Sequence, residues 1–228
     1  MTVGVLPSGA MMSSPRGSRR RRPVLVPVAS AVVVAGIGLT AATGGLAQAS
    51  EEPPPKVAPG KVIDQGQFRT QFVKAVDTTE KDSYGGSKRY LKLTVQVTNL
   101  GDETVGVGVM RKPGDKVMQI PFSFAGSILR VRPEPKTKYG PDISVMSFGM
   151  ESKQLLPDLM KNVVLKYELD PAATAPSTVT VDVGRFVYEQ LGIRDQAHYW
   201  QLVGDDDGDT FVPTVAAEVT LPVTQERG

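Results

Sequence analysis

The chain contains no cysteine, a single histidine and, in its first fifty residues, no acidic side chain. The absence of cysteine excludes a disulfide scaffold, cysteine-ligated zinc or iron–sulfur centres and a cysteine nucleophile. A single histidine excludes metal sites built from several histidines of one chain. The glycine-rich phosphate loop, the dinucleotide-binding motif and the Gly-x-Ser-x-Gly nucleophile elbow are also missing. We therefore predict a protein that is not an enzyme and has no cofactor. An exported hydrolase with carboxylates assembled by the fold remains the alternative.

The basic charge of the chain is concentrated at its N-terminus. The whole chain has 26 Lys and Arg side chains against 24 Asp and Glu, a net charge of +2. Residues 1–50 carry five arginines, so residues 51–228 carry 21 basic and 24 acidic side chains. Because the body is slightly acidic, we predict no nucleic-acid partner.

A long apolar segment follows the arginine cluster Arg19–Arg22. Residues 1–22 form a predicted disordered basic tail, and residues 23–49 carry no charge. The run from Val24 to Ala47 is long enough for a helix to cross a bilayer, and the arginines would keep its N-terminal end in the cytoplasm. We expect a single-pass helix in the cell membrane with an extracytoplasmic C-terminal domain. The alternative is a signal peptide that is cleaved after Ala49, with secretion of the rest.

Residues 50–60 form a proline-rich linker, and residues 61–223 show the period-two alternation of half-buried strands. The alternation is clearest in Tyr90–Thr98, Val163–Leu169 and Thr178–Val183. Further strands are predicted at Gln67–Val76, Thr104–Arg111, Val117–Phe124, Ser127–Val131, Ile143–Phe148, His198–Val203 and Val215–Leu221. The segment Glu151–Asn162, broken by Pro157, could form at most one or two helical turns. These patterns predict an all-β, antiparallel sandwich of one domain, with residues 224–228 as a tail.

Several turn and strand segments resemble a known group of proteins. They are Gly60–Gly66, Arg89–Val105 with its Val-Thr-Asn-Leu-Gly-Asp-Glu turn, and Leu155–Pro157 before Val163–Leu165. In these segments the chain resembles the uncharacterised membrane-anchored or exported immunoglobulin-like proteins of actinobacteria, over most of residues 60–221. The resemblance implies an immunoglobulin-like β-sandwich ectodomain with no catalytic residues to carry over. Since the chain has no cysteine, it cannot carry a lipoprotein anchor.

The segment Gly204–Thr210 holds clustered carboxylates between two strand-like runs. The carboxylates of Asp205, Asp207 and Asp209 are a weak candidate for a calcium site, because Ca²⁺ prefers oxygen ligands. Compared with an EF-hand loop, the segment lacks the first carboxylate and the bidentate glutamate. A solvated acidic turn at a hairpin tip is therefore favoured, and a Ca²⁺-stabilised adhesion-type domain remains an alternative.

The basic stretch 130–139 and the aromatic triplet 198–200 are the other candidate interaction sites. Arg130, Arg132, Lys136 and Lys138 could contact an anionic envelope polymer or lipid headgroups, although two prolines favour an exposed, solvated loop. The triplet His198-Tyr199-Trp200 could stack on sugars or on a partner's side chains. For the triplet we favour Trp200 as a core anchor, with His198 and Tyr199 at the edge.

Taken together, these features predict a non-catalytic binding or structural module outside the cytoplasm. Its partners would be the membrane, through the N-terminal helix, and an unidentified envelope protein or polymer.

Overall fold

The computed structural model describes residues 53–81, 85–110, 123–137, 139–147, 149–190, 196–207 and 210–226, with only the backbone given at Asp206, Asp207 and Thr210. All of these residues belong to one compact unit that begins at Pro53. The predicted basic tail and membrane segment, residues 1–49, lie outside the described residues. None of the helical segments in the described part of the chain has the length and hydropathy that a membrane span requires.

The described chain is built almost entirely from strands, with one short 3₁₀ helix at Phe124–Ser127. The strands are β1 Lys56–Val57, β2 Val62–Asp64, β3 Phe68–Lys81, β4 Ser87–Asn99, β5 Val105–Gly106, β6 Ile128–Arg132, β7 Asp142–Ser147, β8 Met150–Ser152, β9 Gln154–Leu155, β10 Met160–Glu168, β11 Thr178–Val183, β12 Phe186–Gln190, β13 His198–Leu202, β14 Gly204–Asp207, β15 Thr210–Pro213 and β16 Ala217–Glu226. The prediction of an all-β fold is therefore confirmed.

One continuous sheet runs in the order β6-β11-β16-β3-β4-β10-β7-β8, with β1 paired to β16 and β2 to β3. Strand β16 joins its two halves. Residues Ala217–Pro222 pair antiparallel with β11, and Val223–Glu226 pair parallel with β3. Strand β1 also pairs parallel with β16, so the sheet is mixed and the prediction of purely antiparallel pairing is wrong. Buried side chains from both halves of the sheet, including those of β11 and β4, belong to one hydrophobic core.

Strand β4 shows why these sequences form strands. Every second side chain from Leu91 to Val97 is buried, and the intervening polar ones are half-exposed. Alternation places one side of the strand in the core. The ring of Phe68 lies at the centre of this core, edge-on to Phe124 at 5.7 Å and to Phe186 at 5.4 Å between ring centroids. Such edge-to-face pairs add to the free energy gained by burial.

Most predicted strands are present, and one occurs with the same bounds, Thr178–Val183. No helical turn forms in Glu151–Asn162, because β10 pairs with β4 from Met160 onward and its backbone groups bond across the sheet instead. The strand predicted at Thr104–Arg111 is limited to β5, since its partner β9 is two residues long. In the segment predicted as the strand Val117–Phe124, Phe124 begins the 3₁₀ helix, and residues 117–122 lie outside the described residues.

Candidate functional site

A two-stranded ribbon made of β12 and β13 carries a row of aromatic side chains. Antiparallel pairing sets Phe186 opposite Leu202, Tyr188 opposite Trp200 and Gln190 opposite His198. Residues directly opposite each other point to the same face of a ribbon, so all six side chains share one face. Phe186 and Leu202 are buried in the core, Trp200 is half-buried, and Tyr188 and His198 are exposed. The face therefore runs from the core out to solvent.

Tyr188, His198 and Trp200 form what we call the aromatic ladder. The Tyr188 ring lies 5.1 Å from the Trp200 ring and 5.6 Å from the His198 ring, with interplanar angles of 46° and 32°. These distances fall within the range of favourable aromatic pairs. The Tyr188 side chain, at the centre of the ladder, is 57% exposed, so much of its surface is open to a ligand.

Two glycines make room for the Trp200 indole. A Cβ atom at Gly66 would lie 3.3 Å from Trp200 Cζ3 and 2.3 Å from the carbonyl oxygen of Phe186. A Cβ atom at Gly101 would lie 3.4 Å from Trp200 Nε1. Gly66 also has a φ of 85°, in the left-handed region that favours glycine. The indole is thus seated against backbone from the loop before β3 and from the turn after β4.

The turn after β4 is shaped by a buried asparagine. The side chain of Asn99 accepts a hydrogen bond from the backbone N–H of Gly101 at 3.0 Å. Its amide donates to the carbonyl oxygens of Glu103 at 2.7 Å and Leu155 at 3.2 Å. Because this side chain is fully buried, its hydrogen bonds hold the turn firmly. Asp102 follows on the same turn, and both it and Glu103 are exposed.

Between the turn and the ribbon lies a cleft of about 360 Å³, which we call the aromatic cleft. Its lining residues are Gln67, Gly101, Asp102, Glu103, Val105, Tyr188, His198, Tyr199 and Trp200. Gln67 is only 3% exposed, and its side-chain oxygen Oε1 has no hydrogen-bond donor within the described residues. A buried polar atom without a partner is costly, and such atoms in native folds call for an explanation such as a ligand or a water molecule.

The sequence identified part of this cleft. Trp200 packs against the core as favoured, but it is half-buried and also lines the cleft, while His198 and Tyr199 lie at the exposed edge. Gln67 was missed because a lone glutamine at the start of the predicted strand Gln67–Val76 gives no signal. Asp102 and Glu103 were noted only as turn residues, since their closeness to the ribbon depends on tertiary contacts.

The arginines of the predicted basic site occupy a different part of the fold. Arg130 and Arg132 belong to β6, so the predicted exposed loop begins only after Arg132. Arg130 Nε donates to Asp182 at 2.8 Å, and Arg132 Nη2 donates to Asp182 at 2.5 Å and to Glu218. The hydrogen bonds to Glu218 and Asp182 raise the pKa of Arg132 above its ordinary value. Both arginine charges are thus compensated within the sheet.

The lysines of the basic stretch lie beyond β6. Lys136 is exposed on the wall of a second cleft of about 390 Å³, between residues 133–136 and 169–176. Its carbonyl oxygen accepts a hydrogen bond from the Asp170 N–H at 3.1 Å. Lys138 lies outside the described residues. The basic site as predicted, with all four side chains, therefore stays a prediction.

The acidic segment lies in a hairpin as predicted, but its residues Gly204–Asp207 form strand β14 rather than a turn. Strand β14 pairs with β15, and the last pair of the ladder is Asp207 with Thr210. Asp205 is exposed, nothing is described of the Asp207 side chain, and Asp209 lies outside the described residues. In the described part of the chain, no three acidic or histidine side chains are grouped so that they could hold a metal ion. The calcium site stays a prediction.

Comparisons with known proteins identify no family for this chain. No protein-family model matches it. No curated protein matches it either. Among solved structures it is similar to a "putative lipoprotein" from Staphylococcus aureus subsp. aureus NCTC 8325, with 12% sequence identity, over 74% of this chain and 98% of that one. The TM-score of 0.28 is too low for this similarity to carry an inference about fold or function.

Proposed function

We propose that this protein is a non-catalytic binding module outside the cytoplasm that takes its ligand in the aromatic cleft. The observation that carries the proposal is the cleft itself, where the exposed aromatic ladder meets the buried, unpartnered Oε1 of Gln67. Ligand sites are concave, and they combine aromatic surface with a few placed polar groups. The partner is an envelope protein or polymer.

The location outside the cytoplasm rests on the sequence of the N-terminal segment. The cluster Arg19–Arg22 precedes the uncharged run Val24–Ala47, a pattern that directs the following chain across the membrane. The module is then held by one membrane helix, or it is secreted after cleavage behind Ala49. Because Lys56–Val57 pair with β16, only the part of the predicted linker 50–60 that precedes β1 would space the body from the membrane surface.

The finer fold that we propose is an immunoglobulin-like sandwich, in the broad sense of two packed β-sheet layers with loops at both ends. The shared core between the two halves of the sheet supports it. The non-catalytic role is supported by the two carboxylates of the cleft. Asp102 and Glu103 are neighbours on one exposed turn, so they cannot flank a glycosidic bond from opposite sides as hydrolase acid pairs do.

The binding role can be tested by capture of envelope material with the full chain. Tyr188→Ser removes the centre of the aromatic ladder. As a matched control, Tyr139→Ser removes an exposed tyrosine from the segment between β6 and β7, outside the cleft. We expect the Tyr188 variant to retain less than about a third of the wild-type capture, as for loss of a central aromatic contact. The Tyr139 variant should capture as much as the wild type. Equal capture by both variants and the wild type would refute the role of the cleft.

The location can be tested separately with alkaline phosphatase fused after Gly228, because this reporter is active only outside the cytoplasm. We expect activity in intact cells. Replacing Arg19–Arg22 with glutamine should reduce it, because these charges set the orientation of the segment. Activity confined to a cytoplasmic reporter fused at the same position would contradict the proposed location.

A further inference from the structure

The aromatic cleft has a consistent electrostatic character. Its only formally charged lining residues among those described are Asp102 and Glu103, and both are acidic. His198 contributes an imidazole to the lining, and no lysine or arginine among the described residues lines the cleft. A cleft lined by charges of one sign concentrates ligands of the opposite sign. The cleft therefore disfavours phosphate and carboxylate ligands.

The aromatic ladder adds to the same preference. The faces of tryptophan and tyrosine rings carry partial negative charge and attract ammonium and guanidinium groups. Trp200 and Tyr188 both line the cleft, with ring centroids 5.1 Å apart. Their adjoining rings offer an extended apolar surface along which a methylene chain can lie while its charged end reaches the carboxylates.

Gln67 is the third and independent feature. Gln67 lines the cleft and is only 3% exposed. Its side-chain oxygen Oε1 lacks a hydrogen-bond donor within the described residues. An amide oxygen can only accept hydrogen bonds, so a ligand that satisfies it has to bring a donor. An ammonium group carries three donors and a positive charge, which suits the oxygen, the carboxylates and the ring faces together.

We propose that the aromatic cleft binds an alkylammonium group, in which a methylene chain packs on Trp200 and Tyr188 and the ammonium end faces Asp102, Glu103 and Gln67. This inference rests on the proposed function and names the chemistry of its ligand. The same chemistry could come from a lysine side chain of a partner peptide or from a free diamine. A metal ion fits less well, because Asp102 and Glu103 are the only acidic ligands among the described lining residues.

The test uses the full chain in detergent and the emission of Trp200, the only tryptophan of the protein. The probes are cadaverine, the N-terminally acetylated peptide Gly-Gly-Lys-Gly-Gly, the same peptide with its lysine side chain also acetylated, and neutral tetra-N-acetylchitotetraose. We expect the lysine peptide or cadaverine to change the emission saturably, and binding to weaken as salt is added. Saturation by the peptide but not by cadaverine identifies a peptide source, and the reverse identifies a free amine.

Acetylation keeps the methylene chain and removes the charge. We therefore expect the acetylated peptide to bind roughly tenfold more weakly, as for loss of a cation–π contact with its ion pairing. Equal binding of the two peptides would overturn the proposal. Binding of tetra-N-acetylchitotetraose in place of either amine would also overturn it and would indicate a neutral saccharide.

Two sets of variants separate ligand binding from folding. Asp102→Asn combined with Glu103→Gln should weaken amine binding roughly fivefold, as for two exposed ion pairs, whereas Glu151→Gln on the exposed β8 strand should not. Gln67→Leu removes the unpartnered oxygen at similar volume. We expect it to weaken amine binding while the urea midpoint of unfolding stays the same or rises.

The outcomes distinguish this inference from the proposed function. If Tyr188→Ser abolishes envelope capture but no amine probe binds, the module binds through the cleft and the alkylammonium ligand is wrong. If Gln67→Leu lowers the urea midpoint and leaves amine binding intact, the oxygen has a structural partner and the proposal loses its main support.

Discussion

Asp182 is the most informative place to perturb the fold, because it is a buried carboxylate held by two partly exposed arginines. Its side chain is 1% exposed, whereas those of Arg130 and Arg132 are 58% and 42% exposed. Strand pairing also sets Glu218 directly opposite Asp182. Like charges on adjacent strands repel, and Arg132 reduces this repulsion because it binds both carboxylates.

The two ways of breaking this network should differ in cost. Replacing Arg130 and Arg132 with glutamine leaves the carboxylate of Asp182 buried without a cation, which we expect to lower the free energy of unfolding by about 3–5 kcal/mol. Asp182→Asn leaves two guanidinium groups that water can still reach, so we expect it to cost only about 1–2 kcal/mol. Arg69→Gln, at an exposed arginine of β3, serves as the control and should change little.

Urea denaturation at pH 7 measures these differences. The reasoning would be refuted if the double variant lost no more stability than Asp182→Asn.

Two further predictions concern stability. Burial tends to raise the pKa of Glu80, but hydrogen bonds and charge from Lys166 and Lys92 outweigh burial and lower it below 4.5. The ionised carboxylate therefore stabilises the fold above the unfolded-state pKa, and this contribution is lost as the pH falls through the lower folded-state pKa. Glu80→Gln should cost about 1 kcal/mol at pH 7 and almost nothing near pH 3, and urea midpoints that stay equally far apart at both pH values would contradict this. Gly66→Ala forces a side chain into a φ of 85° and within 2.3 Å of the Phe186 carbonyl oxygen. It should lower the free energy of unfolding by about 2 kcal/mol or more and shift the tryptophan emission, and an unchanged urea curve would show that the backbone there can relax.

The strands of the core could be predicted because their signal is local. In β4 and β11 an apolar side chain recurs at every second position and is buried, although Asp182, between two of these positions in β11, is buried as well. The hairpin at 204–213 was predictable only as a turn, because Gly204–Asp207 shows no strand pattern and yet forms β14. The structure of Glu151–Asn162 was harder to predict. Its apolar residues do not alternate, so the sequence did not show whether its backbone would form a helical turn or pair with another strand.

The candidate site could be predicted only in part. His198, Tyr199 and Trp200 stand out as adjacent aromatic residues. Their partners in the cleft are Gln67 and the turn at Asp102, more than ninety residues away along the chain. Similarly, the basic stretch predicted arginine side chains that could bind an anionic partner. In the structure, Arg130 and Arg132 instead bind Asp182, which lies fifty or more residues away in the chain.

The sequence by itself determined the all-β class of the fold, because alternation is a property of neighbouring residues. The arginine-flanked apolar run is equally local, and it predicts the route of the chain across the membrane. Only the tertiary structure decided which charges are compensated and where a cleft opens. Those outcomes depend on strand order and register, which bring together side chains from distant segments, and no local pattern records that pairing.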